Sequence, residues 1–275
     1  MKIDCHQHFW IFDPVKHAWI DDSMTVLQRD FTPDHLQPLL NQHDIDGSIM
    51  VQVDQSEQET RSMLALADAT PWIKAVVGWV DLKAPDIDKR LQHYTENKKL
   101  KGFRHIVQAE PDDDFLLQAD FQRGIACLTK YNYIYEILVY PKQLPAAIKL
   151  VESHPQQKFV LDHIAKPLIK AGAIEPWATH IKTLAEFDNV TCKVSGIVTE
   201  ADHKHWTRAD IFPYLDIVFT AFGTDRLIFG SDWPVCLLAG SYHQVIDLFN
   251  SYSEQFSKTE KQKLYGENAV SVYGI

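Results

Sequence analysis

The sequence predicts a (β/α)8 barrel, because eight short apolar segments alternate with amphipathic segments of helical period along the 275 residues. Some of these apolar segments, such as Ile49-Met50-Val51 and Phe159-Val160-Leu161, are the kind expected for parallel strands covered on both faces. No Gly-x-Gly-x-x-Gly turn follows the first segment, which disfavours the alternative of a doubly wound open sheet. We therefore expect one barrel domain spanning residues 1–275.

The predicted strands are short and follow one another at regular intervals; they cover residues 2–8, 47–53, 73–80, 100–105, 133–138, 158–162, 190–194 and 227–230. Between them, apolar residues recur at helical spacing over residues 33–43, 57–69, 84–97, 116–131, 142–153, 177–187 and 209–222. Two more helical segments, 241–251 and 258–265, follow the last strand. This order is that of a strand followed by a helix eight times over.

Composition excludes several classes of partner. With 27 Lys and Arg against 37 Asp and Glu, the net charge is -10, and no stretch concentrates basic residues, so neither nucleic acid nor an anionic membrane is expected. The four cysteines form no Cys-x-x-Cys pair, and no secretion signal or long apolar run is recognisable, so we expect a cytoplasmic protein with free thiols. A small molecule is the expected partner, with a homo-oligomer as an open alternative to a monomer.

Two histidines in the first predicted strand are the first candidate site residues. Side chains alternate along a strand, so Asp4, His6 and His8 are expected to share one face. Two imidazoles that point the same way can converge on a divalent cation or on a polar substrate. The alternative is a pair of ordinary histidines at a strand end.

Polar residues also stand at the ends of other predicted strands, which is where barrels of this kind place their active sites. Any one of them could be a helix cap, a turn residue or a surface charge. Together they indicate an active site at the carboxyl end of the barrel: His6 and His8, Arg104 and His105, Tyr135 and Glu136, Asp162 and His163, Lys193 and Ser195, and Ser231 and Asp232.

Six motifs together carry a family resemblance: His-x-His-Phe-Trp at 6–10, Gly-x-Arg-His at 102–105, Leu-Asp-His-x-Ala-Lys-Pro at 161–167, Lys-x-Ser-Gly at 193–196, Gly-Ser-Asp-Trp-Pro at 230–234 and Gly-Glu-Asn-Ala at 266–269. In this combination the chain resembles the amidohydrolase superfamily, within it a branch of sugar-lactone hydrolases, over essentially its whole length. The resemblance implies a distorted TIM-type (β/α)8 barrel. It also implies a hydrolase that opens an aldonolactone, such as L-fuconolactone or L-rhamnonolactone, by attack of water on the lactone carbonyl.

The resemblance implies a metal-binding or substrate-binding role for His6, His8 and His163, and a general-base role for Asp232. Two-metal members carry a bridging Lys or Glu and a histidine after the fifth strand, neither of which is recognisable here. We therefore expect at most one divalent ion, zinc above all, held by His6, His8 and Asp232 with His163 as a further ligand. Metal-free catalysis is the alternative, with Arg104 and the histidines polarising the carbonyl directly.

Two further roles are expected at the same end of the barrel. The leaving alkoxide must be protonated, and His163, His105 or the newly protonated Asp232 are the candidates. Hydrogen-bonding groups beside an apolar wall would select a polyhydroxylated ring. The candidates for these contacts are Gln52, Glu136, Lys166, Trp19 and Trp233, although ordinary packing would also explain Trp19.

Two other functions are compatible with the same architecture. One is a metal-dependent non-oxidative decarboxylase of an aromatic or unsaturated acid, which the lack of a strand-5 histidine disfavours. The other is a sugar-binding barrel that has lost its chemistry, which the intact strand-end residues disfavour.

Overall fold

Eight parallel strands form a nearly closed barrel in the computed structural model, which describes residues 1–275. Each strand pairs with the next along the chain, in the order β1 to β8. The strands are β1 (Ile3–Gln7), β2 (Gly47–Val51), β3 (Ile73–Gly78), β4 (Leu100–His105), β5 (Ile134–Ile137), β6 (Phe159–Leu161), β7 (Val190–Val194) and β8 (Leu227–Phe229). The predicted barrel is confirmed, and every observed strand lies within its predicted segment.

The helices surround the barrel: α1 (Pro33–Gln42), α2 (Glu57–Ala69), α3 (Ile87–Tyr94), α4 (Ala119–Lys130), α5 (Leu144–Ser153), α6 (Trp177–Ala185), α7 (Arg208–Phe222), α8 (Tyr242–Ser253), α9 (Lys258–Gln262) and α10 (Asn268–Tyr273). Helix α2 coincides with its prediction, and the Ser56 side chain fixes its start by accepting from the Glu59 N–H. The helix predicted at 258–265 is observed as α9 followed by a π-helical turn (the π-turn, Lys263–Glu267), and the sequence pattern did not predict α10. None of the helices is both long and apolar enough to cross a membrane.

Two apolar clusters lie on the two sides of the strands. The larger comprises 70 buried residues, most of them between the strands and the helices. The smaller comprises 11 and includes Ile49, Val51 and Val160 inside the barrel. Strand alternation explains the division, because Met50, between Ile49 and Val51, belongs to the outer cluster.

Strand β1 departs from simple alternation. Its register with β2 shifts between Asp4 and Gln7, as at a β-bulge, and a bulge resets which side chains face inward. Asp4 accepts a hydrogen bond from the Tyr242 hydroxyl of α8, whereas His6 and His8 point into the barrel mouth. The expectation that Asp4 shares a face with both histidines was therefore wrong.

The barrel closes between β8 and β1 through backbone contacts beyond the ends of the strands. The His8 N–H donates to the Trp233 carbonyl over 2.7 Å, and the Asp232 N–H donates to the His6 carbonyl over 2.8 Å. At the opposite end, the π-turn passes directly against the start of the chain. A Cβ on Gly266 would stand 1.8 Å from the Met1 carbonyl oxygen, so only glycine allows this approach.

We expect Gly266→Ala to lower the free energy of unfolding by about 1–3 kcal/mol, because the added methyl forces the π-turn away from the Met1 carbonyl. Urea denaturation measures the effect. The control is Gly240→Ala, where the nearest atom to an added Cβ is 3.3 Å away on the Gln244 side chain. Equal stability of the two variants would mean that the contact of the π-turn with the Met1 carbonyl does not require glycine at position 266.

Candidate active site

A cleft of about 280 Å³ opens at the carboxyl end of the barrel, where the predicted strand-end residues meet. Its polar side chains are His8, Gln52, Gln55, Arg104, Gln108, His163, Lys166 and Asp232. Its apolar side chains are Trp10, Trp19, Val53, Ile106, Ala109, Leu138 and Val235. A cleft with convergent polar groups beside an apolar wall is typical of a small-molecule site.

His6, His8 and Asp232 form the centre of this site. The two imidazole Nε2 atoms are 3.2 Å apart, and Asp232 Oδ1 lies 3.8 Å from His6 Nε2 and 3.4 Å from His8 Nε2. All three residues are buried. The donors of a tetrahedral zinc ion stand roughly 3.3 Å apart when each is about 2.0 Å from the metal, so the three distances suit one ion with an open position.

The protonation states of these side chains also fit a metal. His8 Nδ1 is 2.8 Å from the Val51 carbonyl, so Nδ1 donates there, which leaves Nε2 as the ring nitrogen that faces the site. Burial and the Lys193 charge hold the pKa of His6 well below its usual range. Burial acts to raise the pKa of Asp232, but the neighbouring imidazoles and the His8 hydrogen bond outweigh it and hold that pKa below its usual range. Metal ligands need these deprotonated forms.

His163 stands beside the three-residue group. Its Nε2 is 3.9 Å from Asp232 Oδ1, and its Nδ1 is 2.9 Å from Ser195 Oγ. Burial lowers the pKa of His163 to about 4, so the imidazole is neutral at pH 7. A Cβ on Gly196 would stand 2.5 Å from His163 Nδ1, so the imidazole packs where only glycine leaves room.

The chain reaches His163 through a left-handed turn, which we define as residues 163–166. All four are non-glycine residues with positive φ: His163 at 52°, Ile164 at 48°, Ala165 at 58° and Lys166 at 48°. A left-handed backbone costs about 1–2 kcal/mol per such residue, and this turn contains a β-branched one. Strain of this kind persists only where the surroundings enforce it, and it is concentrated at functional sites.

Arg104 extends from β4 into the same site. Its Nη1 donates to His6 Nε2 over 3.1 Å and to Asp162 Oδ2 over 3.0 Å, and its Nη2 donates to the Gln52 carbonyl over 2.6 Å. The guanidinium is 4% exposed, so its charge is poorly screened by water. Asp162, for which the sequence indicates only a polar strand-end position, is thus the ionic partner of Arg104.

A buried ionic chain continues beneath the site. Lys193 Nζ lies 3.1 Å from Asp162 Oδ1, 3.2 Å from His6 Nδ1 and 2.5 Å from Glu136 Oε2. The Tyr273 hydroxyl of α10 donates to the other Glu136 oxygen over 2.5 Å. These contacts link α10 to His6. The sequence signals for Lys193 were its strand-end position and the Lys-x-Ser-Gly motif, and neither predicted its buried partners.

The structure does not bring every predicted residue to the cleft. His105 follows Arg104 on β4, so alternation turns it to the other face, where it pairs with Glu110 at 2.7 Å and stacks on Phe115. Glu136 is fully buried in the ionic chain, out of the cleft lining. Trp233 is 2% exposed and packs against aromatic rings behind the cleft.

The other predicted contacts are in place. Gln52, Lys166 and Trp19 all line the cleft, and Trp19 is 42% exposed. Lys166 Nζ is 3.3 Å from Glu200 Oε1, so its charge has a local partner. Gln55 and Gln108 also line the cleft and were missed, because both follow strand ends within loops that have no recognisable motif.

A family model described as amidohydrolase matches residues 3–275. The chain belongs to this amidohydrolase family. An L-fucono-1,5-lactonase from Burkholderia multivorans is 41% identical, over 100% of this chain and 96% of that protein. A second protein of that name, from Burkholderia ambifaria, is 34% identical, again over 100% of this chain and 96% of its own length.

Solved structures extend the comparison. A crystal structure of an amidohydrolase from Burkholderia multivorans with bound zinc has a TM-score of 0.97 and 40% sequence identity, over 100% of this chain and 99% of that chain. A 2,6-dihydroxybenzoate decarboxylase from Rhizobium has a TM-score of 0.72 at 13% identity, over 99% of this chain and 98% of its own. The decarboxylase shares the fold alone.

We expect the protein to bind one zinc ion per chain through His6, His8 and Asp232, measured by calorimetric titration. His8→Ala should weaken binding by more than about 100-fold, since loss of an outer-shell partner alone costs 10–100-fold. His105→Gln is the matched control, because His105 lies outside the cleft lining. The zinc affinity of this variant should equal that of the parent. Equal affinity in His8→Ala and the parent would place the zinc elsewhere.

Replacing Lys193 tests the buried ionic chain. We expect Lys193→Met to lower the free energy of unfolding by about 3–5 kcal/mol, because Glu136 and Asp162 would lose a buried counter-charge. Lys142→Met is the control, since Lys142 pairs with Asp113 at 2.7 Å on the exposed surface, where ion pairs contribute little. Urea denaturation near pH 7 compares them, and similar losses for both would contradict a structural role of the chain.

Proposed function

We propose that the protein hydrolyses a sugar-acid lactone, with an aldonolactone such as L-fucono-1,5-lactone as the first substrate to test. The observation that carries this proposal is the position of Asp232, an ionised carboxylate 3.4 Å from His8 Nε2 in a cleft that also presents Arg104. A base beside cationic groups is what attack of water on a carbonyl requires. The full-length similarity to two L-fucono-1,5-lactonases supports the choice of substrate class.

Asp232 is the general base in this mechanism. Its low pKa keeps it ionised at neutral pH, and its backbone N–H is held by the His6 carbonyl at 2.8 Å. The carboxylate takes a proton from a water molecule that attacks the lactone carbonyl. The imidazoles of His6 and His8 flank the Asp232 carboxylate, so its orientation is restricted and its ionised form is favoured.

Arg104 stabilises the charge that develops on the carbonyl oxygen. Asp162 and the Gln52 carbonyl fix the guanidinium before the substrate arrives, so no reorganisation is needed during the reaction. His6, His8 and Asp232 would hold a divalent ion, which would supply Lewis-acid polarisation of the carbonyl and a lowered pKa for the attacking water. The protein residues perform the binding, orientation and proton transfer.

The ring oxygen leaves as an alkoxide and needs a proton. His105 lies outside the cleft, and His163, with a pKa lowered to about 4 by burial, carries no positive charge at pH 7. We therefore assign proton return to Asp232, which has gained a proton in the first step. His163 stands beside this carboxylate and lines the cleft, with its Nε2 3.9 Å from Asp232 Oδ1, beyond the range of a direct hydrogen bond.

Assays on the same purified protein test the two rival functions. A decarboxylase would release carbon dioxide from an aromatic acid, yet strand β5 contributes Tyr135 and Glu136 and no histidine. A sugar-binding barrel without chemistry would show ligand-induced stabilisation and no turnover. His8, His163 and Asp232 line one cleft, and the buried His6 Nε2 lies 3.2 Å from His8 Nε2. This intact set favours the hydrolase over a barrel without chemistry, and the lack of a β5 histidine favours it over the decarboxylase.

Asp232→Asn tests the assignment of the base. The change is nearly isosteric, so the thermal midpoint should stay close to that of the parent. We expect kcat/KM for lactone hydrolysis to fall about 10²- to 10⁴-fold, the usual contribution of a general base. A pH-indicator assay measures the acid released.

His105→Gln serves as the control, and it should keep the parental rate because that side chain faces away from the cleft. A folded Asp232→Asn variant with most of its activity would remove Asp232 from the mechanism. A parent protein that opens no aldonolactone in a panel of ring sizes and stereoisomers would overturn the proposed function itself.

A further inference from the structure

The left-handed turn (residues 163–166) is strained, and the residues that line the cleft do not account for its stability. It joins β6 to the segment before α6 and carries both His163 and Lys166 to the cleft. A right-handed backbone would suit its four non-glycine residues better and would turn these side chains elsewhere. Some contact outside the cleft must therefore hold the turn in place.

Trp177 makes such a contact. It is the first residue of α6, it is 2% exposed, and it is absent from the cleft lining. Its indole Nε1–H donates to the Ile164 carbonyl oxygen over 2.8 Å. Ile164 lies within the turn and is fully buried. Its carbonyl group points in a direction set by the left-handed backbone, so the bond from Trp177 holds that group in place.

We propose that Trp177 is a positioning residue for the lactone hydrolysis proposed above: by bonding Ile164 it holds the left-handed turn and so places His163 beside Asp232. It acts through the turn and does not touch the substrate. Loss of the indole N–H lets the turn relax toward ordinary backbone angles. His163, 3.9 Å from Asp232 Oδ1, then leaves its position.

Glycine within the turn distinguishes this role from simple packing. Glycine adopts positive φ without a steric penalty, so Ala165→Gly removes part of the strain that Trp177 opposes. If the indole acts against strain, Ala165→Gly compensates for its loss. If Trp177 only fills space in the core, a glycine at position 165 has no means of replacing it.

The experiment compares Trp177→Phe, Ala165→Gly and the double variant with the parent on L-fucono-1,5-lactone. Trp177→Phe keeps an aromatic ring and removes the donor. We expect kcat to fall about 10- to 100-fold with little change in KM, as for a catalytic group moved by a fraction of an ångström to 1 Å. The double variant should recover most of the lost kcat.

Trp206→Phe is the matched control, because Trp206 also donates its indole N–H to a backbone carbonyl, that of Ala239, over 2.8 Å. It should keep the parental kcat, and Ala165→Gly should not alter its rate further. Parental kcat in Trp177→Phe, or a double variant no faster than Trp177→Phe, would overturn the assignment.

Thermal midpoints test the turn without any substrate. Trp177→Phe should lower the midpoint more in the parent than in the Ala165→Gly background, and additive shifts would overturn the proposal even if no lactone is hydrolysed. If Trp177→Phe alone fails to fold, the double variant must fold. A double variant that is equally unfolded contradicts the role of the indole bond.

Discussion

One buried carboxylate, that of Asp162, connects the charged groups of the barrel mouth. It lies 3.0 Å from the Arg104 guanidinium, 3.1 Å from Lys193 Nζ and 3.5 Å from His6 Nδ1. Burial alone would raise its pKa, but the Lys193, His6 and Arg104 contacts outweigh burial and hold that pKa well below its usual range. Without this anion, two cations and an imidazole would face one another in a region of low dielectric, where repulsion is strong.

Glu136 is the second buried carboxyl group that Lys193 contacts, after Asp162. It accepts from Lys193 and from the Tyr273 hydroxyl, and burial with the nearby Asp162 charge raises its pKa to about 7. The last helix of the chain is thereby joined to His6 through two side chains. The orientation of His6 therefore depends on residues that no substrate touches, which is how a site keeps its geometry to within a fraction of an ångström.

Periodicity was enough to predict the barrel, because each strand of a parallel barrel is apolar on both faces and each helix on one. The rule that active sites lie at the carboxyl ends of the strands was enough to bring His6, His8, Arg104, His163 and Asp232 together. Alternation failed at Asp4, since a bulge is a property of strand pairing rather than of one strand. For His105 alternation itself would have corrected the prediction, because Arg104 and His105 are adjacent and cannot both face inward.

The sequence could not predict the remaining features for a different reason. The left-handed turn contains no glycine, so nothing in His163-Ile164-Ala165-Lys166 signals positive φ. The pairing of Asp162 with Arg104 joins β4 to β6 across the intervening β5, and such partners follow only once the barrel order and inward faces are known. Both depend on tertiary contacts that local propensity does not report.

The costly features of the structure are confined to one end of the barrel. Toward the amino ends of the strands the interior is apolar, with Ile3, Val160 and Ile228 in one buried cluster. Toward the carboxyl ends lie the buried charges and the left-handed turn, each of which lowers stability by itself. The apolar layers beneath and around the mouth provide the opposing free energy.

Tyr273 lies where the two regions meet, because it packs in the apolar interior and donates its hydroxyl to Glu136. An aromatic ring with one polar atom satisfies both regions at once, and phenylalanine at this position would leave the Glu136 oxygen without its donor.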